Sequence, residues 1–247
     1  MHYILIPLYN EELNVPNLEK ELKESVIPFF KEVFFVFVDD NSSDKTVELL
    51  KSSFSDCQFE ILTKTANGGP GDSFNIGMNW VLERAKSSDK LITMEADCTS
   101  DLGILGTMDL LHGQGYDTVL ASPYAQGGGF SNTNFFRKLL SFSANTLIRF
   151  VLDLKVHTLS SFYRIYSIEI LLKIKDAYPK IISDPGFFSM IEILCKVVEQ
   201  NGKVIEVPMV VHSEKRIGQS KMKVFKTIRN YLKFIIKYAF LGTKSFK

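Results

Sequence analysis

Short apolar runs alternate with amphipathic stretches along the first hundred residues of the chain. The runs are rich in β-branched and aromatic residues, which predicts buried strands, and the stretches between them predict helices, as at Leu18 and Leu22. This alternation predicts an α/β fold with a mostly parallel sheet and helices on both faces. The predicted strands are residues 3–6, stopped by Pro7, and residues 32–40, 59–64 and 90–97.

The second half of the chain is less regular. A strand from residue 118 leads into a glycine loop, an apolar helix covers about residues 135–152, and residues 160–174 predict a turn or strand followed by a helix. A further helix ends at Gly202, and Pro208 interrupts the strand after it. The chain shows neither an internal repeat nor a low-complexity linker. We therefore expect one domain over residues 1–221, followed by a separate segment, residues 222–247.

Three predicted strands end in polar or acidic residues, at residues 7–11, Asp39–Asp40 and 95–97. Ligands of such sheets bind at the carboxyl ends of the strands, so these side chains are predicted to meet at one edge. Glu95 and Asp97 are open to three interpretations: they bind a hard divalent cation, share a proton, or face solvent. Their position directly after a buried strand favours the cation, since Mg²⁺ prefers oxygen ligands.

Glycines 68, 69 and 71 precede another predicted helix. They are compatible with a phosphate cradle or with a tight turn, and the sequence favours neither. Neither the dinucleotide fingerprint nor the P-loop motif is present. Asn67 and Asp72 are alternative helix caps.

Composition adds limits on the compartment. The 247 residues are 45% hydrophobic and 23% charged, which is ordinary for a globular protein. Three cysteines without close spacing favour a reducing compartment over a disulfide framework. We see no signal-peptide pattern and no apolar run long enough to span a membrane. These features predict a cytoplasmic protein.

The charge is unevenly distributed, although the net charge is only +1. Residues 215–247 hold ten Lys or Arg and no acid, whereas the residues before them are net acidic. Residues 222–241 place apolar and basic residues on opposite faces of a helix, which is typical of an interfacial amphipathic helix. Packing on the domain, or contact with a membrane-anchoring subunit, would also explain the pattern. Nucleic acid binding is not expected, because the domain itself is acidic.

Several motifs resemble the GT-A glycosyltransferases of family 2: "PLYNEE", "VDDNSSDKT", "NGGPGDSFNIG" and "MEADCTSD" occur in that order. Later stretches, among them "SSFYRIY", "GFFSMIEIL", "EVP" and "RIGQSKMK", resemble the polyprenol-phosphate branch of that family. The resemblance implies a GT-A (Rossmann-like) catalytic domain and a Mg²⁺ or Mn²⁺ ion. It also implies inverting transfer of a sugar from a nucleotide-diphospho-sugar, of the GDP-mannose or UDP-glucose type, to a polyprenyl phosphate at the cytosolic membrane face.

The resemblance also implies roles for individual residues. The cation would be bound by Asp97, Glu95 and Thr99. Arg137 would lie near the acceptor phosphate, and a basic loop with Lys215, Arg216 and Lys221 would close over the donor diphosphate. The nucleotide pocket would be lined by Pro7, Tyr9, Glu11, Phe37, Asp39, Glu95 and Ala96.

Two other functions are compatible with the sequence. A family 2 transferase acting on a glycan hydroxyl would need a catalytic base, for which Glu192 and Asp184 are the candidates. An inactive nucleotide-sugar-binding subunit would explain why Glu95 stands where the family usually has Asp. Among the remaining residues, Cys98 is expected to be a buried, inert thiol, and Arg164 is a plausible partner for Glu192.

Overall fold

The computed structural model describes residues 1–132, 145–146, 148–152 and 154–218. The strands are β1 (His2–Leu8), β2 (Val33–Asp39), β3 (Phe59–Thr63), β4 (Lys90–Thr93), β5 (Thr118–Ser122), β6 (Gly129–Ser131), β7 (Arg164–Ser167), β8 (Val204–Pro208) and β9 (Val210–His212). The helices are α1 (Val15–Ser25), α2 (Thr46–Ser53), α3 (Pro70–Leu82), α4 (Leu105–Gly113), α5 (Ile168–Ala177) and α6 (Ser189–Glu199).

Seven strands form the central sheet in the order β3-β2-β1-β4-β7-β5-β8. All neighbours are parallel except β7, which runs antiparallel to both β4 and β5. The predicted mostly parallel sheet is therefore confirmed, with one reversed strand. A second, small sheet pairs β6 with β9 in parallel.

The core lies in two layers, one on each face of the sheet. Alternate residues of β1 serve the two layers: Leu5 packs in the layer that contains α3, α5 and α6, whereas Ile4 and Ile6 pack in the layer that contains α1, α2 and α4. Burial on both faces explains why the first strands read as continuous apolar runs. The prediction of helices on both faces is confirmed.

The sequence predicted that the first strand stops at Pro7, and this prediction was wrong, because β1 continues to Leu8. Leu5 accepts a hydrogen bond from the backbone of Met94 and Leu8 accepts one from Asp40, so successive residues of β1 turn their polar groups alternately toward β4 and β2. Pro7 therefore faces the β4 side, where the pairing has already ended at Leu5 and Thr93. A proline without an N–H is tolerated there because that position has no ladder bond to lose.

Several predictions fall on residues outside the described ones. These are Arg137, Lys221, most of the predicted helix at 135–152 and the amphipathic segment 222–241. Within the described part of the chain, none of the helices is both long and apolar enough to cross a membrane.

Candidate active site

The loops after β1 and β2 hold each other at the carboxyl edge of the sheet. Asn10 and Asn41 both adopt left-handed backbone conformations, with φ of 51° and 63°, which asparagine tolerates better than most residues. The Asn10 amide donates to Ser42 Oγ at 2.8 Å, and the Ser42 amide in turn donates to both oxygens of buried Asp39 at 3.2 and 3.3 Å. Asp39 is thus fixed in orientation at the end of β2.

The acidic loop follows β4, which ends at Thr93, four residues earlier than predicted. Cys98 takes a left-handed conformation with φ of 60°, unusual for a cysteine, and so turns the chain back on itself. The turn brings the amide and the hydroxyl of Thr99 to Asp97 Oδ1, at 3.1 and 2.8 Å. Thr99 therefore orients Asp97 in this structure, and its hydroxyl lies directly beside that carboxylate.

Arg216 occupies the other oxygen of the same carboxylate. Its Nε donates to Asp97 Oδ2 at 2.7 Å, and its Nη2 contacts that oxygen as well. Asp97 itself is buried. The backbone of β9 approaches the same loop, since the His212 amide donates to the Thr99 carbonyl at 2.9 Å. The structure thus brings the predicted acidic loop and the predicted basic loop into direct contact.

The electrostatics of the site reflect several carboxylates around one guanidinium. Burial, followed by the nearby charge of Asp97, raises the pKa of Glu95 to about 8, although Arg216 acts in the opposite direction. Burial alone would lower the pKa of Arg216, but Asp97, Glu95 and Glu11 more than compensate and raise it. The site therefore holds excess negative charge and favours a cation.

The donor atoms suit a hard divalent cation that arrives with a phosphate ligand. Within the described ranges, no group of three or more His, Cys, Asp or Glu side chains forms a complete metal site. Glu95 and Asp97 supply carboxylate oxygens, and the Arg216 guanidinium on Asp97 shows that a positive charge is accommodated there. One or two carboxylates completed by substrate phosphates is a common arrangement for Mg²⁺.

The residues predicted for the nucleotide pocket do not all reach the surface. Tyr9 is exposed, and Pro7 is half-buried beside it at the end of β1. Phe37 is fully buried and packs against Phe35 and Phe54, with ring centroids at 6.0 and 4.8 Å, so its side chain belongs to the core in this structure. The side chain of Ala96 also packs into that core layer.

Glu11 and Lys215 both contact the first helix: Glu11 binds Asn14, just before α1, and Lys215 binds Glu21 within it. The Glu11 amide donates to Thr46 Oγ1 at 2.8 Å, and its carboxylate accepts from Asn14 Nδ2 at 2.6 Å. Lys215 forms an ion pair with Glu21 at 2.7 Å, beside a cleft of about 480 Å³ between α1 and the loop after Asp97. The basic loop is therefore attached to α1 as well as to Asp97.

The glycine turn is a tight turn held by Asp40 and not an open phosphate cradle. The amides of Gly68 and Gly69 both donate to the Asp40 carboxylate at 2.7 Å. Lys64 lies between Asp40 and Asp72, at 2.6 Å from each. The second acid of the pair at 39–40 therefore has a structural role, and the amides that would face a phosphate already have a partner.

Glu192 is paired with Lys196, not with Arg164. Its carboxylate, 3% exposed, lies 2.6 Å from Lys196 Nζ and accepts the amides of Ser183 and Asp184 at 2.7 to 3.0 Å. A carboxylate with these partners is a poor general base, which disfavours the role considered for it in transfer to a hydroxyl. Arg164 is fully buried and donates to the Leu159, Ser161 and Met190 carbonyls and to Tyr166 Oη.

Cys98 is buried next to the acidic loop, and burial raises the pKa of its thiol to about 12. A protonated thiol is a weak nucleophile and a poor metal ligand. The expectation of an inert thiol agrees with this environment.

The role of Asn14 was not predicted from the sequence. The residue starts α1, where an asparagine normally caps the helix, yet it makes no capping hydrogen bond. Its side chain instead contacts Ile217, which is 203 residues away. Burial of a polar residue at a helix start is the only signal for such a contact, and burial is not visible in the sequence.

This sheet, with its ligand edge at the acidic loop, defines a GT-A-like glycosyltransferase fold. TarS of S. aureus (residues 1–349) superposes with a TM-score of 0.63 at 17% identity, over 98% of this chain and 65% of that one. Glucosyl-3-phosphoglycerate synthase from Mycobacterium tuberculosis, solved with Mn²⁺, UDP and glucosyl-3-phosphoglycerate, gives 0.63 at 14% identity, over 96% and 77%. At these identities the likeness establishes the fold alone.

Sequence comparison establishes the family. Residues 3–175 match Glycosyl transferase family 2, so the chain belongs to that family and is a glycosyltransferase. It is 29% identical over 221 residues to polyprenol monophosphomannose synthase of Mycolicibacterium smegmatis, covering 89% of this chain and 80% of that protein. It is 29% identical over 237 residues to dolichol-phosphate mannosyltransferase of Pyrococcus furiosus, and it spans 62% of that protein's length. Undecaprenyl-phosphate mannosyltransferase of Micrococcus luteus is 28% identical over 220 residues, covering 88% of this chain and 86% of that protein.

Proposed function

We propose that this glycosyltransferase moves a sugar from a nucleotide-diphospho-sugar, of the GDP-mannose or UDP-glucose type, to a polyprenyl phosphate. The observation that carries the proposal is the meeting of Asp97 and Arg216 at the carboxyl end of β4, with Glu95 beside them. One site therefore contains carboxylates that can bind a cation and a guanidinium that can bind phosphates. The names of three relatives, each a polyprenyl-phosphate transferase, support the acceptor.

Asp97 and Glu95 are the residues that would hold Mg²⁺ or Mn²⁺. When bound, such an ion neutralises the charge that develops on the leaving nucleoside diphosphate. Thr99 contributes by holding Asp97 through its hydroxyl and amide. Burial and the charge of Asp97 raise the pKa of Glu95, and a positive charge bound beside it would lower that pKa again.

Arg216 changes partner during the reaction in this proposal. In the donor-free protein it neutralises Asp97, and when the donor arrives with its cation it turns to the diphosphate. Lys215 accompanies it on the same loop, and Arg137 and Lys221, outside the described residues, are proposed to bind phosphates of the donor and acceptor. Tyr9, Asp39 and Glu11 are proposed to line the nucleotide pocket. A guanidinium suits this role because it binds phosphate oxygens in a bidentate manner.

The chemistry needs no strong base. A phosphate monoester has a second pKa near 6, so the acceptor oxygen is already anionic at neutral pH. That oxygen forms the new bond to the anomeric carbon. The bond from this carbon to the donor diphosphate breaks, and its electron pair leaves with the nucleoside diphosphate. Attack from the side opposite the leaving group inverts the anomeric configuration. Glu192, held by Lys196 and two backbone amides, is not needed as a base.

Replacing the central carboxylate tests the proposal. Asp97→Asn should lower transfer from a nucleotide sugar to a short-chain polyprenyl phosphate by roughly 100-fold or more, since the lost stabilisation is several kcal/mol. Asp101→Asn is the matched control: Asp101 belongs to the same loop, and its carboxylate accepts the Gly103 amide, a hydrogen bond that the Asn side chain can also accept. Near-normal turnover of Asp97→Asn with Mg²⁺ or Mn²⁺ would contradict the assignment.

A donor panel identifies the nucleotide sugar. GDP-mannose, UDP-glucose and UDP-N-acetylglucosamine are compared by thermal shift with and without Mn²⁺, since a bound ligand raises the melting temperature. We expect one donor to stabilise the protein only when Mn²⁺ is present. Stabilisation by a donor without transfer to any lipid phosphate would instead favour a nucleotide-sugar-binding subunit.

We also propose that residues 222–247 bring the enzyme to the cytosolic face of the membrane. The support is the basic, amphipathic pattern of this segment, which lies outside the described residues. Flotation with anionic liposomes should fall for Lys233→Glu plus Lys237→Glu, because each basic residue near the surface contributes about 1 kcal/mol. Lys173→Glu plus Lys175→Glu, on the exposed side of α5, makes the same charge change and should leave flotation unaltered. Equal flotation of all three proteins would rule out this anchor.

A further inference from the structure

The side chain of Asn14 joins two distant parts of the chain. It is 3% exposed, and its Nδ2 donates to Glu11 Oε2 at 2.6 Å and to the Ile217 carbonyl at 3.1 Å. Its Oδ1 accepts the Ile217 amide at 3.0 Å. Both hydrogens of the side-chain amide and its oxygen are therefore used, and the helix cap is given up for these contacts.

The residue that Asn14 holds directly follows Arg216. The Ile217 amide donates to the Asn14 side chain and the Ile217 carbonyl accepts from it. Both backbone groups of Ile217 are therefore fixed, and with them the direction of the chain at that point. One residue earlier, Arg216 reaches Asp97, and Lys215 reaches Glu21 of α1. The residue before Arg216 and the residue after it are therefore both held in place, which fixes the backbone that carries the guanidinium.

We propose that Asn14 is a positioning residue: it places the basic loop, residues 213–218, so that Arg216 lies on Asp97 and in reach of a donor diphosphate. The inference rests on the proposed function for its catalytic consequence, but not for the placement of the loop. Because Asn14 also binds Glu11, a residue of the proposed nucleotide pocket, it links that pocket to the loop that meets the phosphates.

The amide group is what the contact requires. Asn14→Ala removes both hydrogen bonds to Ile217, and their loss should lower the equilibrium constant for docking of the loop by about 10-fold or more. Asn14→Asp has the same size and keeps the acceptor for the Ile217 amide, but it loses both donors and places a second carboxylate beside Glu11. Asn17→Ala is the matched control, because Asn17 lies one turn further along α1 and is exposed.

Two measurements on the full chain test the proposal. Amide hydrogen exchange of the donor-free protein, read by mass spectrometry, should be about 10-fold or more faster within residues 213–218 in Asn14→Ala. Exchange in peptides from β1 and β2 should be unaltered, and Asn17→Ala should match the wild type throughout. The KM for whichever of GDP-mannose, UDP-glucose or UDP-N-acetylglucosamine turns over fastest should rise about 10-fold in Asn14→Ala, with kcat within about twofold.

The outcomes separate this proposal from the proposed function. Unchanged exchange in residues 213–218 overturns it, as does faster exchange over the whole protein or faster local exchange with unchanged KM and kcat. If Asn14→Ala does not fold, Asn14→Asp gives the same comparison with a side chain of equal size. If the wild type turns over none of the three donors, the proposed function fails, and the exchange result alone then decides whether Asn14 places the loop.

Discussion

Replacing Lys196 by Met should destabilise the protein strongly, because it leaves a buried carboxylate without its cation. Lys196 is fully buried, 2.6 Å from Glu192, and it also donates to the Lys180 and Ile181 carbonyls at 3.0 and 3.1 Å. Its ammonium lies 4.9 Å from the centre of the Tyr178 ring. After Lys196→Met, Glu192 keeps its backbone amide donors but has no opposite charge.

The magnitude follows from this environment. Breaking a buried ion pair by removing one partner costs about 3–5 kcal/mol, whereas replacing both charges by neutral groups often costs little. With a denaturant dependence of about 2–3 kcal/mol per molar urea, that loss lowers the unfolding midpoint by about 1–2.5 M. The double variant Glu192→Gln with Lys196→Met should be more stable than Lys196→Met alone, since the remaining amide is neutral.

Urea unfolding followed by the fluorescence of Trp80, the one tryptophan of the chain, measures these differences. Lys173→Met is the control, because Lys173 is exposed on α5 and should stay within about 0.5 kcal/mol of the wild type. A loss below about 1 kcal/mol for Lys196→Met would refute the reasoning. So would a double variant less stable than the single one, because it would show that the charges do not depend on each other.

Three further outcomes follow from the described residues. Burial alone would raise the pKa of Asp109, but hydrogen bonds from His2 and Lys90 outweigh it and lower the pKa to about 2. The stabilisation from this carboxylate is therefore present above about pH 4 and is lost as the pH falls through about 2. Asp109→Asn should cost up to about 2 kcal/mol at pH 7, measured by urea unfolding, and well under 1 kcal/mol near pH 2. Gly71→Ala places a methyl group against a backbone carbonyl and should cost about 1–3 kcal/mol in the same assay, whereas Gly113→Ala meets open space and should be neutral or slightly stabilising. Two of the three thiols are buried, so the folded protein should react rapidly with one equivalent of a thiol reagent and the unfolded protein with three. Rapid reaction of all three thiols in the folded protein would contradict the burial.

Much of the fold was predictable from local patterns, and the reversed strand was not. The first four strands are short runs with apolar residues on both sides, which is the pattern of buried parallel strands. The antiparallel pairing of β7 with β4 depends on contacts between distant residues, such as Ile92 and Ile165. No local pattern encodes such a choice of neighbour. The early end of β4 at Thr93 is of the same kind, because β4 ends opposite Arg164, where β7 begins, although β1 runs on to Leu8.

The candidate site was predictable where its chemistry is local. Glu95 and Asp97 are two residues apart, and their position after an apolar strand already indicated a ligand edge. Phe37 illustrates the limit, since an aromatic residue near a strand end fits a nucleotide pocket and a core equally well, and only the packing decides. The contact of Asn14 with Ile217 joins residues 203 positions apart, and no local sequence pattern around either residue predicts it.

The place of β4 in the sheet has a consequence for synthesis on the ribosome. β4 has β1 on one side and β7 on the other, and β7 begins only at Arg164. Until that residue has emerged, β4, which precedes the acidic loop, has no strand paired on its β7 side. Unpaired strand edges of this kind can associate with other chains. The nascent polypeptide therefore carries its apolar Leu91 and Ile92 in an incompletely paired strand until β7 has emerged. Chaperone binding should be concentrated in that window, and the site should form only after Arg216 has emerged as well.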